Sequence, residues 1–156
     1  MQMTDQLPQT IRQLVGNDVQ LFRELLAVFG GAFDDAETYI EAQPSDEYLG
    51  ELLRSSHFIA LVAMQSDTVI GGLTAYELRK FEQERSEIYI YDLAVAIEHR
   101  RKGVATSLIE QMKTIAAARG AYVVIVQADL DDQPAVNLYT KLGHREDVLH
   151  FDIDVD

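Results

Sequence analysis

Hydrophobic residues in the first third of the chain recur at helical spacing. Over residues 18–29 they fall every three or four positions, which predicts an amphipathic helix that Asn17 or Asp18 can cap. The pair Gly30-Gly31 is expected to end this helix. A shorter helix is predicted over residues 46–54, with leucines on its buried side.

Two apolar stretches then predict a β-hairpin. They cover residues 58–64 and 68–78, and they flank a short turn at Gln65-Ser66-Asp67. Gly71 and Gly72 lie inside the second strand, where glycines indicate either a bulge or a close approach of another backbone.

Strands and helices alternate in the second half of the chain. The pattern predicts a strand over residues 86–95, a helix over 104–119 and a second strand over 121–128. A further helix is predicted over 134–142, and a last strand over 150–155. Because strand, helix and strand follow one another, the first two strands of this series are expected to be parallel.

The strand over residues 86–95 is apolar on both faces, which is typical of a strand inside a sheet. Simple alternation divides its side chains into two sets: Ile88, Ile90 and Ala94 on one face, and Tyr89, Tyr91, Leu93 and Val95 on the other. The chain therefore predicts a mixed α/β sheet flanked by helices, in one domain over residues 1–156. A ligand site is expected where this strand ends.

The composition narrows the class of protein. A length of 156 residues with 47% apolar side chains suits one compact domain. The longest apolar run, residues 58–64, is too short to cross a membrane, and the first residues lack the pattern of a secretion signal, so we expect a cytoplasmic protein. With no cysteine, the chain has no disulfide, no thiolate zinc site and no cysteine nucleophile, and no metal is expected.

The charge favours a cationic ligand. The chain has 26 acidic and 13 basic residues and a net charge of −13, which disfavours nucleic acid and anionic membranes as partners. Residues 34–51 hold seven acidic residues and no basic one, whereas Arg100, Arg101 and Lys102 are consecutive. Separate acidic and basic segments suggest that one ligand is a cation and another an anion.

The basic segment lies between a predicted strand and the start of a predicted helix. Free backbone N–H groups and the helix dipole make such a position suitable for an anion. Gly103 allows close approach, and Arg100 and Arg101 can add charged hydrogen bonds. The alternative is an exposed basic turn without a ligand.

These residues resemble a known motif. The pattern Arg100-x-x-Gly103-x-Ala105, after Tyr91-Asp92-Leu93-Ala94-Val95, resembles the acetyl-CoA motif of the GNAT N-acetyltransferases. Residues 135–143 resemble the second signature of that superfamily. The resemblance implies a mostly antiparallel sheet with a parallel pair at the cofactor site, and acetyl-CoA as co-substrate. It assigns cofactor contacts to Leu93, Ala94, Val95, Arg100, Arg101, Lys102, Gly103, Val104, Ala105, Thr106 and Asn137.

Longer segments resemble one group within that superfamily. Residues 81–92, 127–129 and 150–154 are similar to the aminoglycoside 3-N-acetyltransferases of the GNAT type. This implies acetylation of the 3-amino group of the deoxystreptamine ring of gentamicin-type antibiotics, hence antibiotic resistance, and a homodimer. Asp132 and His144 depart from the general pattern of the superfamily, where asparagine and an aromatic residue are common.

The resemblance implies direct attack of the acceptor amine on the thioester, which requires that the amine first lose a proton. Asp92, at the end of the central strand, is the first candidate for the base, and Glu87 on the same strand is the second. The alternative role for Asp92 is that of a turn or cap residue. By resemblance, Tyr139 protonates the leaving thiolate, and its alternative role is core packing.

Three further carboxylates are candidates for the cationic acceptor. Asp129 follows a predicted strand, and alternation places Asp152 and Asp154 on one face of the last strand, about 7 Å apart. Tyr89 and Tyr91 are expected to pack rather than to contact ligands. Two other functions stay open: acetylation of a polyamine or a basic peptide, and a CoA-binding module without catalysis.

Overall fold

The computed structural model describes residues 9–156, which divide into two compact units. The first unit ends at Val126 and the second runs from Gln127 to Asp156. The strands are β1 Gln9–Gln13, β2 Phe58–Gln65, β3 Thr68–Arg79, β4 Ser86–Val95 and β5 Ala121–Val126. The helices are α1 Val19–Ala32, α2 Asp46–Arg54, α3 Val104–Ala118 and α4 Gln133–Leu142, with a π-helix at Glu37–Glu41 and a 3-10 turn at Ile97–His99. That the chain is one domain stays a prediction.

The five strands of the first unit form one sheet in chain order. Successive strands from β1 to β4 are antiparallel, and β4 and β5 are parallel. The predicted mixed sheet with a single parallel pair is therefore confirmed. Strand β1 and the two short helices were not predicted.

Helix α1 continues through the glycine pair that was expected to end it. Gly30 is buried, and a Cβ at this position would lie 2.8 Å from two atoms of Ile40. The glycine therefore allows the π-helix to approach α1 closely, and the prediction of a helix end was wrong. At the other end, the Asp18 carboxylate does not cap α1; it accepts hydrogen bonds from Arg12 and from the Val15 N–H.

The β2–β3 hairpin forms as predicted, and both expectations for its glycines are confirmed. Ala63 pairs with Gly71 and Met64 with Val69, which leaves one extra residue in β3. A Cβ on Gly72 would lie 2.4 Å from the Leu61 carbonyl oxygen and 2.5 Å from Leu25 Cδ1. Glycine at this position lets α1 pack directly on the sheet.

Two hydrophobic layers cover the two faces of the sheet. The α1–α2 layer packs on the face that includes Phe58, Ala60, Val62 and Ala94. Helix α3 packs against β3, β4 and β5 and buries Leu108 and Met112 completely. Gly120, at φ 77°, follows α3 and leads into β5, which ends two residues earlier than predicted.

The second unit contains α4, which residues 143–156 follow as a tail. Asp132 caps α4 by accepting a hydrogen bond from the Ala135 N–H. Residues 143–156 form neither helix nor strand, so the predicted last strand is wrong. Its apolar and acidic residues alternate, but a strand needs a hydrogen-bonded neighbour, and none pairs with this segment within residues 9–156. No helix in the described part of the chain is long and apolar enough to span a membrane.

Candidate active site

A bulge in β4 determines which side chains share a face. One extra residue, Tyr91, lies between the partners of Ala75 and Thr74. Asp92 follows Tyr91 directly and, because paired residues share a face, it lies on the face of Tyr89. The predicted face assignment is therefore wrong beyond the bulge: Leu93 and Val95 share a face with Ile88 and Ile90, and Ala94 shares the face of Asp92.

The Asp92 carboxylate is hydrogen-bonded to a tyrosine from the acidic segment. Tyr39 lies in the π-helix, and its hydroxyl donates to Asp92 Oδ2 over 2.9 Å. Burial raises the pKa of Asp92, and the hydrogen bond from Tyr39 partly opposes this shift. Burial, followed by the bond to Asp92, raises the pKa of Tyr39 well above its ordinary value. Asp92 is thus a carboxylate with an increased affinity for a proton.

Three more tyrosines lie near Asp92 on β3 and β4. The ring centroid of Tyr91 is 6.1 Å from that of Tyr76 and 5.9 Å from that of Tyr89. Burial raises the pKa values of Tyr76 and Tyr89, and the negative charge of Asp92 adds to both shifts. Tyr91, for which the sequence predicts packing, is 63% exposed. These three residues and Tyr39 are hereafter the tyrosine cluster.

The parallel pair separates beside Asp92. The last residue of β4 that pairs with β5 is Ile90, whose partner Val126 ends β5. From Tyr91 to Val95, β4 has no β5 partner on that edge. Apart from the Val95 carbonyl oxygen, which accepts a hydrogen bond from Arg100, backbone groups along this edge can bind an extended ligand.

The start of α3 has the features of an anion site. Gly103 is the N-cap at φ 80°, which favours glycine, and a Cβ built there would have no atom within 4 Å. Within residues 9–156 no side chain caps the helix, and its first turn contains no acidic residue. The N–H groups of Val104, Ala105 and Thr106 therefore keep the partial positive charge of the helix terminus.

The three basic residues before Gly103 differ in their environments. Arg101 and Lys102 are exposed, and Arg101 has a positive φ of 62°. Arg100 Nε donates a hydrogen bond to the Val95 carbonyl oxygen over 3.0 Å. Arg100 therefore ties the end of β4 to the loop, a contact that the sequence did not predict.

Glu87 lies at the other end of β4 from Asp92. They are five positions apart, which corresponds to about 16 Å along a strand. Glu87 Oε2 accepts a hydrogen bond from the Tyr122 hydroxyl over 3.0 Å and lies 3.8 Å from Lys80 Nζ. The structure does not bring the second candidate base beside the first.

The second unit holds the other predicted residues. Tyr139 is half-buried on α4, and burial, with a contribution from the charge of Asp132, raises the pKa of its phenol. Asn137 is exposed, and its Oδ1 accepts a hydrogen bond from Gln133. Asp129 is exposed as well.

The predicted spacing of the two aspartates in the last strand depended on a strand that does not form. Asp152 and Asp154 are exposed in a segment that is not a strand, so the spacing expected from strand geometry does not apply. Asp152 Oδ1 lies 3.0 Å from His150 Nε2. These carboxylates stay predictions as acceptor contacts.

Sequence reasoning missed Tyr39 and the exposed ring of Tyr91. Tyr39 is 53 positions away from Asp92 and lies in a segment without strong hydrophobic periodicity. The available signal was the concentration of tyrosines around a single aspartate in residues 89–92.

A parallel strand pair beside a glycine-capped helix start is the arrangement that the GNAT resemblance implied. Residues 20–144 match the acetyltransferase (GNAT) family. The chain belongs to this family, which confirms the predicted fold class and the predicted class of enzyme.

The chain is also similar to particular solved structures. An aminoglycoside acetyltransferase from an uncultured soil metagenomic sample is 58% identical, with a TM-score of 0.94 over 96% of this chain and 99% of that one. A second aminoglycoside acetyltransferase from such a sample, solved in complex with sisomicin, is 31% identical, with a TM-score of 0.89 over 95% and 97%.

The curated relatives are more distant. N-acetyltransferase 8F1 of Rattus norvegicus is 24% identical over 119 residues, which are 69% of this chain and 54% of the relative. N-alpha-acetyltransferase 30 of Schizosaccharomyces pombe is 28% identical over 85 residues, which are 54% and 55% of the two chains. The chain thus spans about half the length of the curated relatives it matches.

Proposed function

We propose that this protein transfers the acetyl group of acetyl-CoA to an amine of an aminoglycoside, at the 3-amino group of the deoxystreptamine ring of gentamicin-type antibiotics, and so confers resistance to them. The observation that carries the proposal is Asp92, a carboxylate of raised pKa that lies beside the separated end of β4. The similarity to two aminoglycoside acetyltransferases supports the class of acceptor. The ring position and the gentamicin type rest on the sequence resemblance.

The cofactor is bound by residues of the first unit. GNAT acetyltransferases use acetyl-CoA. The pyrophosphate binds the N–H groups at the start of α3, with added charge from Arg101 and Lys102. The pantetheine arm binds the unpaired edge of β4 at Leu93 and Val95. Asn137 stays a predicted contact.

The acceptor is a polycation, and the site is suited to one of its ammonium groups. Asp92 supplies a negative charge, and the exposed ring of Tyr91 supplies a face for a cation–π contact. The net charge of −13 attracts such a ligand over longer distances. Higher salt should therefore weaken acceptor binding.

The reaction begins when the acceptor ammonium gives a proton to Asp92, directly or through a water molecule. The neutral nitrogen attacks the thioester carbonyl carbon, a C–N bond forms and the C–S bond breaks. A backbone N–H near Leu93 stabilises the oxyanion. The CoA thiolate takes up a proton, which the resemblance assigns to Tyr139, and the amide nitrogen loses its remaining extra proton to solvent.

Product analysis tests this proposal. Gentamicin and sisomicin are incubated separately with the protein and acetyl-CoA, and the products are examined by mass spectrometry and NMR. We expect one acetyl group per molecule, on the 3-amino nitrogen. Absence of any acetylated aminoglycoside contradicts the proposal, and acetylation at another nitrogen contradicts only the ring position.

A peptide or polyamine acceptor is the second candidate. The partial match to an N-alpha-acetyltransferase favours a peptide amine. Turnover of gentamicin, spermidine and a lysine-rich peptide under the same conditions distinguishes these acceptors. Higher kcat/KM for the peptide or spermidine would replace the first proposal by the second.

The protein is also proposed to be a homodimer. Five large apolar residues in the tail are more than 70% exposed: Val148, Leu149, Phe151, Ile153 and Val155. So much exposed apolar surface in one segment is typical of an interface. A molar mass of one chain in sedimentation equilibrium would contradict this assembly.

A further inference from the structure

A cavity of about 250 Å³ lies at the end of the sheet where β4 begins. Its walls come from the end of β3, the approach to β4 and the end of α3. β4 has ten residues, which correspond to about 30 Å, so the cavity is far from the loop that follows this strand. None of the residues assigned to acetyl-CoA lines it.

At the floor of the cavity, Glu77, Ser86 and Arg119 are joined by hydrogen bonds. Arg119 Nη1 donates to Glu77 Oε1 over 2.9 Å and to the Ser56 carbonyl oxygen over 2.6 Å. Ser86 Oγ donates to Glu77 Oε2 over 2.7 Å. Both oxygens of Glu77 therefore have donors, and the Arg119 charge is balanced.

The remaining charged groups in the walls differ in their partners. Lys80 Nζ lies 3.5 Å from Glu82 and 3.8 Å from Glu87, so two carboxylates balance it. Arg79, Arg85 and Glu84 complete the charged walls. Among the described residues no ion pair joins any of these three, although the charge of Arg85 also acts on the nearby Glu82 carboxylate.

Arg85 is held in position but has an unsatisfied donor. Its guanidinium carbon lies 3.8 Å from the centroid of the Tyr122 ring, which fixes the plane of the group. Its Nε is buried and has no hydrogen-bond partner within the described residues. A buried N–H without an acceptor is unfavourable, and native proteins satisfy such groups with a water, an ion or a ligand.

We propose that this cavity binds a small oxyanion, a carboxylate or a phosphate, through the guanidinium groups of Arg85 and Arg79. Guanidinium groups bind both kinds of oxyanion through paired, charged hydrogen bonds. The volume limits the ligand to a small molecule or one end of a larger one. The last turn of α3 carries partial negative charge, so binding depends on the arginines and not on the helix.

Titration of the protein with inorganic phosphate and with citrate, each against chloride at matched ionic strength, tests the proposal. The readouts are the Arg85 Nε–Hε resonance and the backbone amides of Ser86 and Gly120 in ¹⁵N-labelled protein. We expect saturable shifts with at least one of the two anions, and the preferred anion identifies the kind of ligand. Arg85→Met and Arg79→Met should each weaken this binding roughly tenfold or more.

Two controls separate this site from other effects. Lys113→Met removes one exposed charge that does not line the cavity, and it should leave the affinity unchanged. Phosphate binding at the start of α3 should survive in Arg85→Met, because that site uses other residues. Arg79 is exposed, so its variant tests the site even if Arg85→Met fails to fold. Shifts that do not saturate, or that persist unchanged in both arginine variants, overturn the proposal.

Discussion

The two ends of β4 each place a carboxylate in a partly buried environment, and their surroundings shift the two pKa values in opposite directions. Beside the beginning of the strand, burial raises the pKa of Glu77, but hydrogen bonds from Ser86 and Arg119 outweigh it and the pKa is lowered. Near the end of the strand, burial raises the pKa of Asp92 more than the single bond from Tyr39 lowers it. The comparison separates a carboxylate that stabilises the fold from one that is available for chemistry.

Removal of the Asp92 charge should have the largest effect. Asp92→Asn keeps the size of the side chain and an acceptor for Tyr39 but removes the proton acceptor, so kcat should fall about 10²- to 10³-fold. Glu87→Gln, at the other end of β4, is the matched control and should keep kcat close to the wild-type value. A large loss of kcat in Glu87→Gln alone would make Glu87 the base. A higher KM with unchanged kcat in Asp92→Asn would give Asp92 a binding role.

Removal of the Glu77 charge should affect stability instead. Glu77→Gln removes the charged partner of Arg119, so the free energy of unfolding should fall by about 1–3 kcal/mol. Because the pKa of Glu77 is lowered on folding, its stabilising effect is present above the ordinary value of 4.5 and is lost as pH falls through the folded value. The variant should therefore show less stability loss than wild type on acidification.

Denaturant unfolding at several pH values measures this difference. Glu84→Gln is the control and should differ little from wild type, because Glu84 lines the same cavity but has no ion pair within the described part of the chain. Equal stability of Glu77→Gln and wild type would show that the beginning of β4 does not depend on this charge.

A negative charge at the start of α3 should weaken cofactor binding. Gly103→Asp places a carboxylate where the pyrophosphate is proposed to bind, and it also strains a residue at φ 80°. Gly103→Ala introduces the strain alone. Calorimetry with acetyl-CoA should show roughly tenfold weaker binding for the aspartate variant than for the alanine variant. Equal affinities would place the pyrophosphate elsewhere.

Loss of the Tyr39 hydroxyl should have the smallest effect. Tyr39→Phe removes the hydrogen bond that lowers the pKa of Asp92, so the acidic limb of the kcat/KM profile should move to higher pH. Tyr122→Phe removes a hydroxyl that donates to Glu87 and should leave the profile unchanged. An unshifted profile in Tyr39→Phe would mean that Asp92 does not set this limb.

The sequence predicted the parts of the fold that local patterns determine. Strand β4 was recognisable because it is apolar on both faces, and α2 was recognised with its observed bounds. The glycine-capped loop before α3 was recognised because glycine and basic residues separate a strand from a helix there. These features depend on residues that are close together in the sequence.

Long-range contacts account for what the sequence did not predict. The bulge at Tyr91 is a property of the β3–β4 register, and the Tyr39–Asp92 bond joins residues 53 positions apart. Gly30 does not end α1, because it faces the π-helix across a contact that no local pattern indicates. Apolar and acidic residues alternate in the tail as they would in a strand. Alternation alone does not form a strand, because a strand also needs a neighbouring strand to pair with.

Addition of acetyl-CoA to ¹⁵N-labelled protein tests most directly which end of β4 lies at the active site. We predict saturable shifts at the amides of residues 93–95 and 103–106, with little change at Glu77 and Ser86. Shifts confined to Glu77, Ser86 and their neighbours, with the start of α3 unaffected, would contradict the account.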